Sequence, residues 1–209
     1  SGLSEIHRCG QTMAINNQRG GVKYNEDSDR LCKDGISLVG DNNDYWHSNY
    51  YHPSQEDWTK IVPAGQCYNG PCYFIVYTKN NLRLEFGSNS NSRSLTLEEN
   101  GIGRWLLSKI TDANNNEIRF NYLVDGAVRY ISTIEYGQSI TSNDSNSTAA
   151  VQKITFQYSN KSSQNHHSGF YSNGFQSDSY NYGKMLNAIA VSTNNNVFKE
   201  YHLNYQSSS

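Results

Sequence analysis

The sequence predicts an all-β protein built of antiparallel hairpins, arranged as a curved sheet or a β-sandwich-like shell segment with very little helix. The first observation is a pattern that occurs twice. Leu107-Ser108-Lys109-Ile110 runs into Asn114-Asn115-Asn116 and returns through Glu117-Ile118-Arg119-Phe120-Asn121-Tyr122. Leu186-Asn187-Ala188-Ile189 runs to Asn194-Asn195-Asn196 and returns through Val197 to Tyr205. Asn tolerates positive φ, so each run suits the tight turn between two strands. The second observation is alternation of apolar and polar residues over short runs bounded by turn residues. The third is composition: 27 Asn, 27 Ser and 16 Tyr in 209 residues, with only 17% charged. Disordered chains carry few aromatics and a high net charge, whereas this one has 7 Phe and 3 Trp besides the tyrosines and a net charge of -2.

The elements follow in order. Residues 1–40 hold short strands separated by Gly and Asp, with Ile36-Ser37-Leu38-Val39 entered from Lys33-Asp34-Gly35. Residues 41–72 are rich in aromatics and turns, and include Ile61-Val62. Tyr73-Phe74-Ile75-Val76-Tyr77 is a strong strand that turns at Lys79-Asn80-Asn81 into Leu82-Arg83-Leu84-Glu85-Phe86. A Ser/Asn-rich loop at 87–100 is the candidate sub-boundary within a single domain of residues 1–209. The first Asn-turn hairpin (105–122) follows, then strands at 128–136 and 154–158. Polar loops are expected at 138–150 and 159–181, and the second hairpin closes the chain. No 3.6-residue periodicity of useful length is present.

Mean hydropathy is -0.77, and no apolar run approaches the roughly 20 residues a membrane-spanning helix needs. The 17 basic and 19 acidic residues form no basic stripe, which argues against nucleic acid as a partner. The start Ser1-Gly2-Leu3-Ser4-Glu5 has no basic and apolar leader pattern and reads as an internal cut or a tag scar.

Four cysteines are present. Cys67 and Cys72 bracket Tyr68-Asn69-Gly70-Pro71, a turn that brings its ends together, so a local disulfide is expected there. Cys9 and Cys32 remain as a second pair; the competing reading is four free buried thiols. Metal-ligand spacings such as CxxC are absent. The even count favours an oxidising compartment and a secreted or cell-surface location.

Several runs match a known family. Arg8-Cys9, Gly20-Gly21-Val22-Lys23-Tyr24 and Asp29-Arg30-Leu31-Cys32-Lys33-Asp34-Gly35 resemble a signature of the virulence-plasmid B-type proteins and the B component of insecticidal Tc toxins, a bacterial family related to RHS/YD-repeat proteins. Glu56-Asp57-Trp58-Thr59-Lys60-Ile61, Phe74 to Lys79 with Leu82 to Gly87, and Trp105 to Tyr122 resemble later segments in the same order. The specific parts are Asp29 to Gly35 and Trp105 to Tyr122. Asn80-Asn81 and Asn114-Asn115-Asn116 stand where the family has Gly-containing turns, as the left-handed tolerance of Asn permits. The Cys67/Cys72 pair and the 159–181 segment depart from the family pattern. The resemblance implies a non-catalytic β-shell segment that encloses a toxic cargo or scaffolds its delivery. Its partners would be other domains or subunits of a larger assembly, and it needs no cofactor.

Other constellations compete with that reading. Tyr45, Trp46, Tyr50, Tyr51 and Trp58 can form a sugar-stacking platform, or pack as core. With the 159–181 loop they support an alternative function, an extracellular module that recognises a glycan or a host-surface receptor. His166-His167 reads as solvated loop histidines. Asp112-x-Asn114-x-Asn116 echoes a calcium loop but lacks its Gly and Glu, so it reads as a turn. Asn25-Glu26-Asp27-Ser28-Asp29 is an acidic loop, read as a turn into the Cys32 strand. Glu56, Asp57, Glu98 and Glu99 are the candidate catalytic carboxylates, and no hydrolase motif accompanies them. The chain is not expected to be an enzyme.

Overall fold

The computed structural model describes residues 3–26, 28–68, 70–95, 101–139, 152–161, 167–172 and 177–205. Its centre is an antiparallel barrel of eight strands. In chain order these are β1 (Glu5–Cys9), β2 (Arg30–Lys33), β3 (Ile36–Gly40), β4 (Tyr51–Pro53), β5 (Lys60–Ala64), β6 (Tyr73–Tyr77), β7 (Arg83–Phe86) and, after the short β8 (Arg93–Leu95), β9 (Ile102–Thr111). Neighbours pair in sequence from β1 to β7, β7 pairs β9, and β9 returns to β1. The closing register sets Glu5, Ile6 and His7 opposite Leu106, Trp105 and Arg104. An eight-stranded barrel is just wide enough for side chains to fill it. Here Ile6, Leu31, Leu38, Tyr51, Ile61, Phe74, Val76, Phe86 and Trp105 form one buried cluster. Tyr45, Tyr51, Phe74 and Trp105 meet edge to face in succession, with centroids 5.2, 6.4 and 5.1 Å apart.

Strand β9 joins two structures. Along one edge it pairs β1 at residues 104–106 and then β10 (Asn116–Asp125) at 109–111. Its other edge carries β8 and then β7. From β10 an open sheet continues through β11 (Val128–Ser139), β12 (Gln152–Asn160), β15 (Lys184–Thr193) and β16 (Asn196–His202). The turn chemistry is as the sequence predicts. Asn194 and Asn195 both have positive φ (48° and 65°), the signature of a two-residue type I′ hairpin between β15 and β16. Asn81 and Asn115 take the same left-handed conformation.

The structure extends the sequence reading in three places. The curved sheet closes fully into a barrel over its first part. The expected loop at 159–181 contains a separate hairpin, β13 (His167–Ser172) with β14 (Ser177–Tyr182); alternating Ser, Asn and Tyr gave no apolar pattern to mark these strands. The 87–100 loop holds a 3₁₀ turn at Ser90–Ser92 and strand β8. Residues 140–150 of the other expected loop lie outside the described residues. Among the described residues helix is limited to the single turn Met13–Asn16 (α1) and two 3₁₀ turns. No helix among the described residues is long and apolar enough to cross a membrane.

Candidate functional site

One end of the barrel is sealed by a polar and aromatic plug. Arg8 on β1 and Asp29, just before β2, form an ion pair at 3.2 Å with side chains only 1% and 0% exposed. Arg8 Nε also donates to the Ile102 carbonyl at 2.8 Å, and its guanidinium lies 4.5 Å over the Trp46 ring. Burial lowers the Arg8 pKa, and the charge and hydrogen bond of Asp29 oppose that shift. The other Asp29 oxygen accepts the Lys23 amide at 2.7 Å. The Trp46 indole donates to the Asp29 carbonyl at 3.1 Å. The 65–72 loop closes over this end. A Cβ at Gly70 would meet both Arg8 Nη2 and Trp46 Cζ3 at 3.4 Å. Trp105 Nε1 donates to the Pro71 carbonyl.

Both expected disulfides are present. Cys67–Cys72 ties the ends of that loop, and Cys9–Cys32 joins β1 to β2. Among the described residues no cysteine is free.

The five candidate aromatics divide into two groups. Tyr45, Trp46 and Tyr51 come together in the core. The Tyr45 hydroxyl accepts the Leu31 amide and donates to the Leu38 carbonyl, and Tyr51 donates to the Tyr45 carbonyl. Burial raises the hydroxyl pKa of both tyrosines. Tyr50 and Trp58 stay at the surface. Lys60 Nζ lies 4.8 Å over the Tyr50 ring. Trp58 is 79% exposed and has a φ of 63°, an unusual conformation for a bulky side chain. Glu56 accepts the Trp58 amide at 2.6 Å and Asp57 accepts that of Thr59 at 3.0 Å. These two candidate carboxylates therefore brace the turn that displays the indole. The other two, Glu98 and Glu99, lie outside the described residues, as do His166 and the side chain of His167.

The remaining candidate loops resolve into local hydrogen bonding. Asp112 accepts the amides of Asn114 and Asn116 and the side-chain amide of Asn116, so its carboxylate holds the β9–β10 turn. Asn25 accepts from the Ser28 amide and hydroxyl. Among the described residues no trio of His, Cys, Asp or Glu is placed to hold a metal.

Two converging carboxylates do occur, at a place the sequence did not mark. Where the barrel passes into the sheet, Lys109 Nζ lies 2.9 Å from Glu85 and 3.3 Å from Glu117. Arg83 pairs with Glu85, and Arg119 pairs with Glu117 at 2.7 Å. Burial pushes the Glu85 pKa up, but Lys109 and then Arg83 outweigh it and hold the carboxyl below its ordinary value. A general acid needs the opposite shift. The cluster neutralises charge at the junction of β7, β9 and β10.

An open cavity of about 570 Å3 lies at the sealed end, lined by Glu26, Arg30, Asn43, Asp44, Tyr45, Trp46 and His47. Arg30 lies 4.7 Å over the Tyr45 ring and donates to the Asp29 carbonyl. His47 Nδ1 is 3.1 Å from Asp44, whose hydrogen bond and charge raise the imidazole pKa.

The model of the family described as Salmonella virulence plasmid 65kDa B protein matches residues 12–183. No curated protein sequence matches the chain. Among solved structures, the N-terminal domain of the effector SpvB from Salmonella typhimurium strain LT2 superposes with a TM-score of 0.63 at 15% identity, covering 90% of this chain and 75% of that one. TcdB2-TccC3 superposes with a TM-score of 0.68 at 13% identity over 99% of this chain. A Tc holotoxin pore from Photorhabdus luminescens gives 0.67 at 12% identity, also over 99%. The chain spans only 13% and 12% of those two longer chains. At these identities the structures show a shared fold, and the family match covers most of the chain. The chain belongs to the Salmonella virulence plasmid 65kDa B protein family, and its barrel-and-sheet fold is the one shared with Tc toxin components.

Proposed function

We propose that this toxin-family chain is a non-catalytic structural segment of a larger secreted bacterial protein, part of a β-shell related to RHS/YD-repeat walls that encloses or scaffolds a delivered toxin. The observation that carries this reading is the way β9 leaves a side-chain-filled barrel and seeds an open sheet. Among the described residues that sheet ends on β16, all seven of whose residues are exposed. A barrel has no edges, whereas an open sheet with a bare last strand is a template for further strands. The likeness to components of TcdB2-TccC3 assemblies supports a role beside other domains or subunits. The test places Val197→Lys and Tyr201→Lys on β16 within the longer toxin polypeptide. Cargo inside an intact wall resists added protease; these variants are expected to make it digestible. Unchanged protection and delivery would overturn the reading.

A second reading has its own observation. Trp58, braced in a left-handed turn and 79% exposed, suits an anchor for a host-surface receptor or glycan. Trp58→Ala would then reduce host-cell binding without lowering the melting temperature. Equal binding by the variant would remove this reading.

A further inference from the structure

The cavity at the sealed end of the barrel has a composition that the shell reading does not use. Its lining mixes acidic and basic groups, Glu26 and Asp44 with Arg30 and His47, and Asn43 is among them. A lining of both signs does not select an anion or a cation by charge alone. It does offer acceptors and donors together, which a ligand rich in hydroxyls can satisfy in both directions. The apolar part comes from Tyr45 and Trp46. Stacked guanidinia already lie over both rings, Arg30 at 4.7 Å and Arg8 at 4.5 Å. Recognition here is therefore by hydrogen bonds to a compact ligand rather than by ring stacking. The volume of about 570 Å3 falls within the roughly 300–1,000 Å3 of small-molecule sites.

The walls of this cavity are held in place. Arg30 is fixed by its bond to the Asp29 carbonyl, and Asp29 by the buried Arg8 pair and the Lys23 amide. The 41–50 loop is pinned by Asp41, which accepts the Asn49 amide at 2.8 Å, and by Asn42, which donates to the His47 carbonyl at 3.1 Å. A site held rigid before binding loses less entropy when it is filled.

We propose that this cavity binds a small neutral saccharide, with Asn43, Asp44, Glu26 and Arg30 hydrogen-bonding its hydroxyls. The proposal goes beyond the shell reading and does not rest on it. It is also separate from Trp58. The 41–50 loop precedes β4 and the 54–59 loop follows it, so the two lie at opposite ends of the barrel.

The test is saturation-transfer NMR and titration of the 209-residue chain with methyl glucoside, methyl galactoside, N-acetylglucosamine and N-acetylgalactosamine. Inorganic phosphate and choline serve as charged comparisons. At least one sugar is expected to bind saturably. Asn43→Ala and, separately, the isosteric Glu26→Gln should each weaken it by about tenfold, the scale of one or two lost hydrogen bonds. Asn43 is exposed and Glu26 half-buried, and an unchanged melting temperature shows that the fold is kept. No saturable binding of any of the four sugars would overturn the proposal. So would binding that both variants leave unchanged, or a site that takes phosphate or choline in preference to sugar. Cargo protection and Trp58-dependent adhesion are read separately, so those readings survive or fail on their own assays.

Discussion

Replacing Asp29 with Asn tests how the barrel end is held together. Asn keeps the size and most hydrogen-bonding reach of Asp but removes its charge. Arg8 would then keep its bond to the Ile102 carbonyl and its place over Trp46, while its buried positive charge would lose its carboxylate. The pair is almost wholly shielded from water, so solvent screening does not soften the loss. Breaking a buried pair by removing one partner costs about 3–5 kcal/mol. At 2–4 °C per kcal/mol for a chain of this size, Asp29→Asn should melt roughly 6–20 °C below the wild type. The assay is thermal unfolding followed by circular dichroism at pH 7 with both disulfides intact. The double variant Arg8→Met/Asp29→Leu should recover most of the loss, because apolar replacements of a buried pair are often neutral. A fall smaller than about 2 °C for Asp29→Asn, less than 1 kcal/mol on the same scale, would refute the reasoning.

Three further outcomes follow from the structure. In the chain-entropy model, Cys9→Ser/Cys32→Ser should cost about 3 kcal/mol and Cys67→Ser/Cys72→Ser about 2 kcal/mol, since the first pair closes the longer loop; urea unfolding reads the order. Gly87 has a φ of +73°, and an added Cβ would lie 2.6 Å from Trp105 Cδ1. Gly87→Ala should therefore destabilise by about 2 kcal/mol or more through backbone strain and overpacking together, again by urea unfolding. Glu85 has a folded pKa below its ordinary value, so its contribution is present above the unfolded pKa of about 4.3 and is lost as pH falls through the folded one. The stability gap between the wild type and Glu85→Gln should be constant near neutrality and shrink below about pH 4.3.

Local chemistry made the hairpins legible in the sequence. Asn114-Asn115-Asn116 and Asn194-Asn195-Asn196 announce left-handed turns, and the alternation in Tyr73–Tyr77 marks β6 at its observed bounds. Closure of the barrel was not legible. It depends on Ile6 meeting Trp105, almost half the chain away, and a strand pattern does not name its distant partner. The buried Arg8–Asp29 pair escaped for the same reason, although both residues stood inside recognised motifs. The aromatic segment was ambiguous because Tyr and Trp serve equally as core and as platform. Only the tertiary structure separates Trp46, held by the Asp29 carbonyl, from Trp58, turned outward by a positive φ. Glu85 and Glu117 gave no signal because they lie on different strands and come together only through Lys109.

The most direct test of the shell reading is a cryo-EM structure of the longer toxin polypeptide in which we propose this segment is embedded. The reading predicts that the free edge of β16 is hydrogen-bonded to a further strand and that the β10–β16 sheet forms wall around enclosed polypeptide. A β16 edge left open to solvent, with this segment tethered outside any enclosure, would contradict it.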